Sequence, residues 1–286
     1  MKPADLLQQW LDARLPEAGR AWLAQALAAL HSAHAERELG RNLSLVSRRL
    51  GKAPLALDAA ELAAADAARA GWDPRAWSVD QAARLRLLLA AEGDGEAFVR
   101  RLDQLCATAD LDELVAFYRG LPLYPDAARH RARAAEGVRS NMRAVFEAVA
   151  QRNPYPAEQL PEDAWNQMVL KALFVGTALD PVVGLERRAN PVLARMLADY
   201  AHERWAAKRP VSPELWRCVG PYAAGERLAD LARVLEGGTP AERAAAVLAL
   251  RSAPDPEART LLGRHAALRD AVAERGTTWS TVLAYA

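Results

Sequence analysis

Among the places in its second half where the chain sets a small polar residue directly before a proline are four that precede an apolar, helix-spaced run: Asn190-Pro191, Ser212-Pro213, Thr239-Pro240 and Asp255-Pro256. Each pair reads as a helix start. The polar side chain can accept from a free amide of the first turn, and proline at the first helical position removes an N–H that has no partner there. "SVDQ" from Ser78 and "TPAE" from Thr239 match the capping box, in which the first and fourth residues bond each other's backbone amides, and "DLDE" from Asp110 is a weaker relative. Between such starts apolar residues recur at helical spacing, and nowhere do they alternate with period two for long. The pattern predicts an all-α chain without a β-sheet.

The predicted helices cover about 4–14, 16–34, 35–50, 58–70, 78–91, 95–107, 111–120, 125–151, 161–175, 191–208, 213–218, 221–236, 240–252, 256–263 and 265–275. Loops such as Gly237-Gly238 and Asp73-Pro74 are short, so neighbouring helices are expected to pack antiparallel. "TPAERAAAVLALRSAPDPEARTLLGRH" reads as one helical hairpin of a HEAT-type array, although no strict period recurs. The expected fold is an irregular HEAT-like helical solenoid of antiparallel helix pairs. It forms one continuous body, 1–286, with three sequence regions: 1–152, 153–222 and 223–286.

Charge excludes some function classes. The 286 residues carry 37 basic against 36 acidic side chains, a net charge of +1. A nucleic-acid binder working through bulk charge needs a clear basic excess, so no nucleic-acid partner is expected. The basic residues are nearly all arginine, the lysines being Lys2, Lys52, Lys171 and Lys208. Two distant cysteines, Cys106 and Cys218, imply neither a disulfide framework nor a cysteine zinc site. Asp5 and Pro3 stand where a signal peptide would have its apolar core, and no stretch approaches about 18 uncharged apolar residues. A cytoplasmic location without direct membrane insertion is expected, with peripheral attachment to the inner membrane only through partners.

"NPYPAEQLPEDAWNQMVLKALFVG", from Asn153 to Gly176, is the densest stretch. Proline pushes the residue before it towards extended backbone, so "NPYP" is expected to be extended and rigid, with Tyr155 packed inward. On the helix that follows, Trp165, Met168, Val169, Ala172 and Val175 make one apolar side. Leu170, Leu173 and Phe174 carry it round most of the circumference. Over the second half of the helix only Gln167 and Lys171, one turn apart, break the belt. Such a helix is normally buried, so Lys171 either snorkels to water, pairs with a buried carboxylate or faces a ligand.

A second dense stretch runs from Arg187 to Tyr222. Leu193, Met196, Leu197 and Tyr200 make one face of its helix, and Arg204 falls on that face. Ala194, Ala198 and Ala201 make a second side ending at Trp205. Arg195, Asp199 and His202 share the remaining edge at contact spacing. Asp199-x-x-His202 resembles half of a helical-bundle metal motif, but it is single and uses aspartate, and His31 with His34 is weaker still. A salt-bridge edge is the expectation there, with no metal and no cofactor. No GxSxG, phosphate-binding glycine loop or HExxH occurs, and Cys218 reads as a buried structural thiol.

These two stretches, "NPYPAEQLPEDAWNQMVLKALFVG" and "LERRANPVLARMLADYAHERWAAKRPVSPELWRCVGPY", closely resemble the EboA family over about Asn153 to Tyr222, with "SLVSRRLGKAPL" from Ser44 a weaker segment. The resemblance implies a bacterial gene cluster that also encodes a UbiA-like prenyltransferase and a TatD-like hydrolase and serves traffic of a secondary-metabolite precursor across the inner membrane. It supplies no catalytic residues. The leading expectation is a non-enzymatic helical protein that assists metabolite export by binding those partners or the metabolite. The alternatives are an all-helical enzyme acting on a prenylated or aromatic metabolite, with Lys171 or His202 as acid or base, and a structural subunit of a membrane-associated complex. The candidate binding residues are Lys171, Arg187, Arg188, Asp199, His202, Arg204, Trp165 and Trp205. Asp163, Glu186, Asp199 and Glu203 are the expected carboxylate partners for Lys171 and Arg204.

Overall fold

The computed structural model describes residues 1–91 and 95–286. Among these, every regular element is helical: seventeen α-helices and five short 3-10 turns, with one isolated bridge between Pro54 and Ser78. No helix among the described residues is long and apolar enough to cross a membrane. The chain divides into two compact units, Met1–Pro161 and Glu162–Ala286.

The first unit holds α1 (Pro3–Arg14), α2 (Glu17–Ala29), α3 (Ala35–Leu50), α4 (Ala59–Ala68), α5 (Val79–Ala90), α6 (Gly95–Thr108), α7 (Leu111–Arg119), α8 (Arg131–Arg139), α9 (Arg143–Ala150) and α10 (Tyr155–Gln159). The Asp110–Glu113 box forms with both bonds, 2.9 and 3.1 Å. The Ser78–Gln81 box is also present at the start of α5. Gln81 accepts from the Ser78 amide at 3.3 Å, while the Ser78 hydroxyl turns to Asp80 Oδ1 at 2.5 Å. Asp80 is committed to a buried network. Its Oδ2 takes Arg84 Nη1 at 2.5 Å and the Ser47 hydroxyl at 3.2 Å, and Arg84 Nη2 reaches Ser47 at 2.9 Å. Both charged side chains are 2% exposed. The Trp10, Trp72 and Trp77 rings pack in series beside this core, with centroids 5.4 and 5.8 Å apart.

Three expectations need correction here. The predicted 16–34 helix stops at Ala29 and gives way to turns. The predicted 125–151 helix is broken between α8 and α9, where Ser140 leaves the helical region (ψ 138°) and its hydroxyl accepts from the Met142 amide at 3.1 Å. The two shorter helices then pack on each other, with Gly137 set so close to Tyr118 and Val149 that a Cβ would lie 2.5 and 2.7 Å away. Thirdly, "NPYP" is not extended. Tyr155 opens the one-turn helix α10, with Pro154 at φ −73°, ψ −17°. A proline in the first turn removes an amide that needs no helical partner, so the turn tolerates Pro156. Asn153 completes it: Oδ1 accepts from the Tyr155 amide at 3.1 Å, and Nδ2 donates to the Tyr118 and Ala148 carbonyls at 3.1 and 3.0 Å. Tyr155 is fully buried, as expected, and its hydroxyl donates to the Ala127 carbonyl at 2.5 Å.

The second unit holds α11 (Glu162–Phe174), α12 (Pro191–Ala206), α13 (Trp216–Val219), α14 (Glu226–Gly237), α15 (Pro240–Ser252), α16 (Pro256–Arg264) and α17 (Ala266–Glu274). Asn190, Thr239 and Asp255 each accept from a first-turn amide, at 2.8, 3.3 and 2.9 Å, so three of the four polar-proline pairs cap α-helices. Ser212 precedes a 3-10 turn instead and makes no side-chain cap bond. The predicted 221–236 helix begins only at Glu226, because Gly225 takes φ +56° and interrupts it. Leu231, Leu235, Ala245, Val247, Leu215, Trp216 and Cys218 make the centre of this unit's core.

Candidate functional site

The first two helices of the second unit are joined at their starts. Asn166 and Asn190 exchange reciprocal amide bonds of 3.3 and 2.8 Å, and the same Asn190 oxygen caps α12. Arg188 lies over the Trp165 ring at 5.1 Å, at the same end. The last turns of α11 and α12 face each other across an open cavity. The pair therefore runs in the same sense, and the expected antiparallel packing does not hold for it. The long 176–190 connection makes this possible. It is pinned by Glu214, a carboxylate 2% exposed, which accepts from the Leu179 and Asp180 amides at 3.0 and 2.7 Å.

Both helices end in the same cap. Thr177 donates to the Ala172 carbonyl and Gly176 to Leu173, at 2.8 and 3.3 Å, while Arg209 donates to Arg204 and Lys208 to Trp205, at 2.8 and 3.0 Å. These are the paired bonds of a Schellman motif, which needs a left-handed residue in the middle. Gly176 supplies it at φ +72°, and Lys208 supplies it at φ +53°. The turn at Lys208 folds Arg209 back beside Arg204.

The cavity between the last turns has a volume of about 510 Å³ and is lined by Leu170, Phe174 and Tyr200 on its apolar side. Its polar lining includes Lys171, Arg204 and Arg209 against one carboxylate, Glu203. Arg204 is half-buried, and its Nε donates to the Pro210 carbonyl at 3.0 Å, which orients the guanidinium. Among the described residues neither Arg204 nor Arg209 enters an ion pair. Lys171 is half-buried, and partial desolvation holds its pKa below the usual lysine value. Phe174 is 75% exposed.

The geometry sorts the sequence candidates into three places. Lys171 and Arg204 meet in the cavity. Trp165 and Arg188 meet at the opposite end of α11. His202 and Trp205 turn to the other side of α12, where His202 Nε2 lies 2.7 Å from Asp230 Oδ1 on α14. There Trp205 stacks on Trp216 at 5.8 Å, with Arg233 over the Trp205 ring at 4.3 Å. Burial raises the Asp230 pKa, and the His202 contact opposes that rise. Arg187 and Asp199 are exposed.

Two expectations fail at this point. A helix apolar nearly all round was expected to be buried, yet α11 leaves Gln167 and Phe174 in solvent and Leu170 and Lys171 half-covered. The expected edge of Asp199 with His202 is replaced by the His202–Asp230 contact, because a partner 28 residues away on α14 lies closer to the imidazole. Of the carboxylates expected beside the two cations, Glu203 lines the cavity, and Glu186 pairs instead with Arg217, at 2.6 Å. No group of three His, Cys, Asp or Glu side chains among the described residues could hold a metal ion. Burial raises the thiol pKa of Cys218, and of the half-buried Cys106, to about 12, far from an activated nucleophile.

Sequence reading missed Phe174, Tyr200 and Arg209 as cavity residues. Phe174 and Tyr200 were legible only as apolar positions on a wheel. Arg209 lies beyond the helix and reaches the site through a left-handed turn made by a lysine, which nothing in "AAKRP" signals.

What the cavity can do is hold a small molecule by apolar contact while presenting a surplus of positive charge. The family model described as metabolite traffic protein EboA matches residues 3–220, which includes α11, α12 and the whole cavity lining. No curated protein and no solved structure matches the chain. The match extends over most of the chain and well beyond the two stretches that carry the resemblance, so this chain belongs to the EboA family of metabolite traffic proteins.

Proposed function

We propose that the protein acts in metabolite traffic as a non-enzymatic binding component, holding its metabolite in the α11–α12 cavity and passing it among products of the same gene cluster. A TatD-like hydrolase and a UbiA-like prenyltransferase are the proposed partners, met on the cytoplasmic side of the inner membrane. The observation that carries the reading is the cavity itself: about 510 Å³, within the usual range for small-molecule sites, with apolar walls and a few converging polar groups. An irregular HEAT-like stack is the proposed scaffold, supported by hairpins such as α14–α15, joined through Gly238 and Thr239.

The enzymatic alternative draws on the contact between His202 and Asp230, since a carboxylate behind an imidazole is a common way to orient a general base. The cavity lining contains Lys171 but not His202, so the two polar features do not converge on one ligand. That favours binding over acid–base chemistry.

Co-purification of the protein with the cluster products, with mass spectrometry of retained small molecules, tests the reading. Phe174→Asp alters the cavity wall at an exposed position and should leave the fold intact. Loss of the retained molecule and of metabolite traffic in this variant is the expected result. Traffic at the native level in the variant, with no small molecule retained by the native protein, would refute the reading.

A further inference from the structure

The cavity has a chemical polarity of its own. Leu170 and Phe174 offer an apolar surface on α11, and Tyr200 on α12 faces the same space. Near the helix ends stand Lys171, Arg204 and Arg209. Arg204 has only its Nε committed, to the Pro210 carbonyl at 3.0 Å, which leaves its terminal nitrogens for a ligand. Some arginines of this chain are matched to carboxylates, as Arg14 is with Glu61 at 2.6 Å, Arg133 with Asp103 at 2.6 Å and Arg217 with Asp180 at 3.3 Å. Arg204 and Arg209 share one cavity, and neither enters an ion pair among the described residues. A planar guanidinium with free terminal nitrogens takes a carboxylate or phosphate through paired, charge-assisted bonds.

Resting on the binding reading above, we propose that the ligand is an amphipathic anion: an apolar, aromatic-sized body lying against Phe174 and Leu170, with a carboxylate or phosphate head held by Arg204 and Arg209 and attracted by Lys171. Glu203, the one carboxylate of the lining, leaves a positive surplus from Lys171, Arg204 and Arg209, and that surplus disfavours a cationic head. Phosphate and carboxylate heads share this chemistry, and so does a single anionic lipid, so the test separates them.

Titration calorimetry of the full chain at low ionic strength uses 2-naphthoate, 2-naphthyl phosphate and the neutral isostere 2-naphthamide as probes. The anions are expected to bind about ten-fold more tightly than the amide, the size of effect a charge-assisted bond supplies. Arg204→Gln with Arg209→Gln should abolish that preference and leave amide binding unchanged. Phe174→Ser should weaken all three probes together. Which anion binds more tightly identifies the head group. Unaltered circular dichroism and melting temperature establish that the variants fold.

Equal binding of amide and anions by the native protein, still lost in Phe174→Ser, would overturn the anion assignment while leaving the cavity as a binding site. Absence of binding by every probe would also overturn it, and native traffic in Phe174→Asp would then remove the binding reading as well. Flotation with phosphatidylglycerol vesicles that is lost in the arginine variant, without binding of soluble probes, would assign the patch to a membrane surface and refute a single-molecule ligand.

Discussion

Replacing Lys208 by glycine should stabilise the protein. Three helices, α11, α12 and α17, end in the same motif, and at two of them the left-handed position holds Gly176, φ +72°, and Gly276, φ +59°. At α12 the position holds Lys208 at φ +53°. A side chain with a Cβ costs roughly 1–2 kcal/mol in the left-handed region, through its clash with the following carbonyl. Glycine removes that clash but loses more backbone freedom on folding, about 0.5–1 kcal/mol. Lys208 is exposed and enters no ion pair among the described residues, so nothing else is forfeited. The net expectation for Lys208→Gly is a gain of about 0.5–1 kcal/mol. Urea unfolding should show a higher midpoint at constant slope. Gly176→Ala, the reverse change at the equivalent position of α11, should lower the midpoint. A change of the opposite sign in both variants would refute the assignment of these caps. The same cap carries Arg209, so Lys208→Val, which resists positive φ, should reduce anion preference as well as stability.

In the first unit, Arg84→Met should destabilise by roughly 3–5 kcal/mol because it strands the buried Asp80 carboxylate. The double change Asp80→Leu, Arg84→Met should recover most of that loss in a double-mutant cycle by urea denaturation. Gly137→Ala should cost about 1–3 kcal/mol, since the new methyl meets Tyr118 and Val149 at 2.5 and 2.7 Å, and thermal melts will register it. Both thiols should resist Ellman's reagent at pH 8 in the native state and react fully in denaturant, because burial raises them to about 12. Burial raises the Asp230 pKa above its ordinary 3.8, so the folded form holds this proton more tightly than the unfolded chain. Stability from this group is therefore fully present below 3.8 and declines as pH rises through the raised value. Asp230→Asn should flatten that part of a stability-against-pH curve, and an unchanged slope would contradict the assignment.

Helix content and most helix starts were legible in the sequence because they rest on local chemistry. Asn190, Thr239, Asp110 and Asp255 bond amides two or three residues away, and periodicity needs no knowledge of distant packing. Breaks were legible only where a strong local signal marked them. Ser140 ends α8 without glycine or proline, and Asn153 turns "NPYP" into a helical turn through bonds to Tyr118 and Ala148, which lie in other segments.

The site divides along the same line. The sequence by itself determined that Lys171 and Arg204 stand as cations on otherwise apolar faces of two helices. Tertiary structure decided that those faces meet, that α11 leaves one side uncovered, and that His202 turns away to Asp230. A helical wheel records which residues share a side but not which side finds a partner. That choice depends on the reciprocal Asn166–Asn190 bonds, on Glu214 holding the connection, and on a left-handed lysine that returns Arg209 to the cavity. These contacts join residues too far apart in the chain for local propensity to report, so only the folded chain brings the three cations to one place.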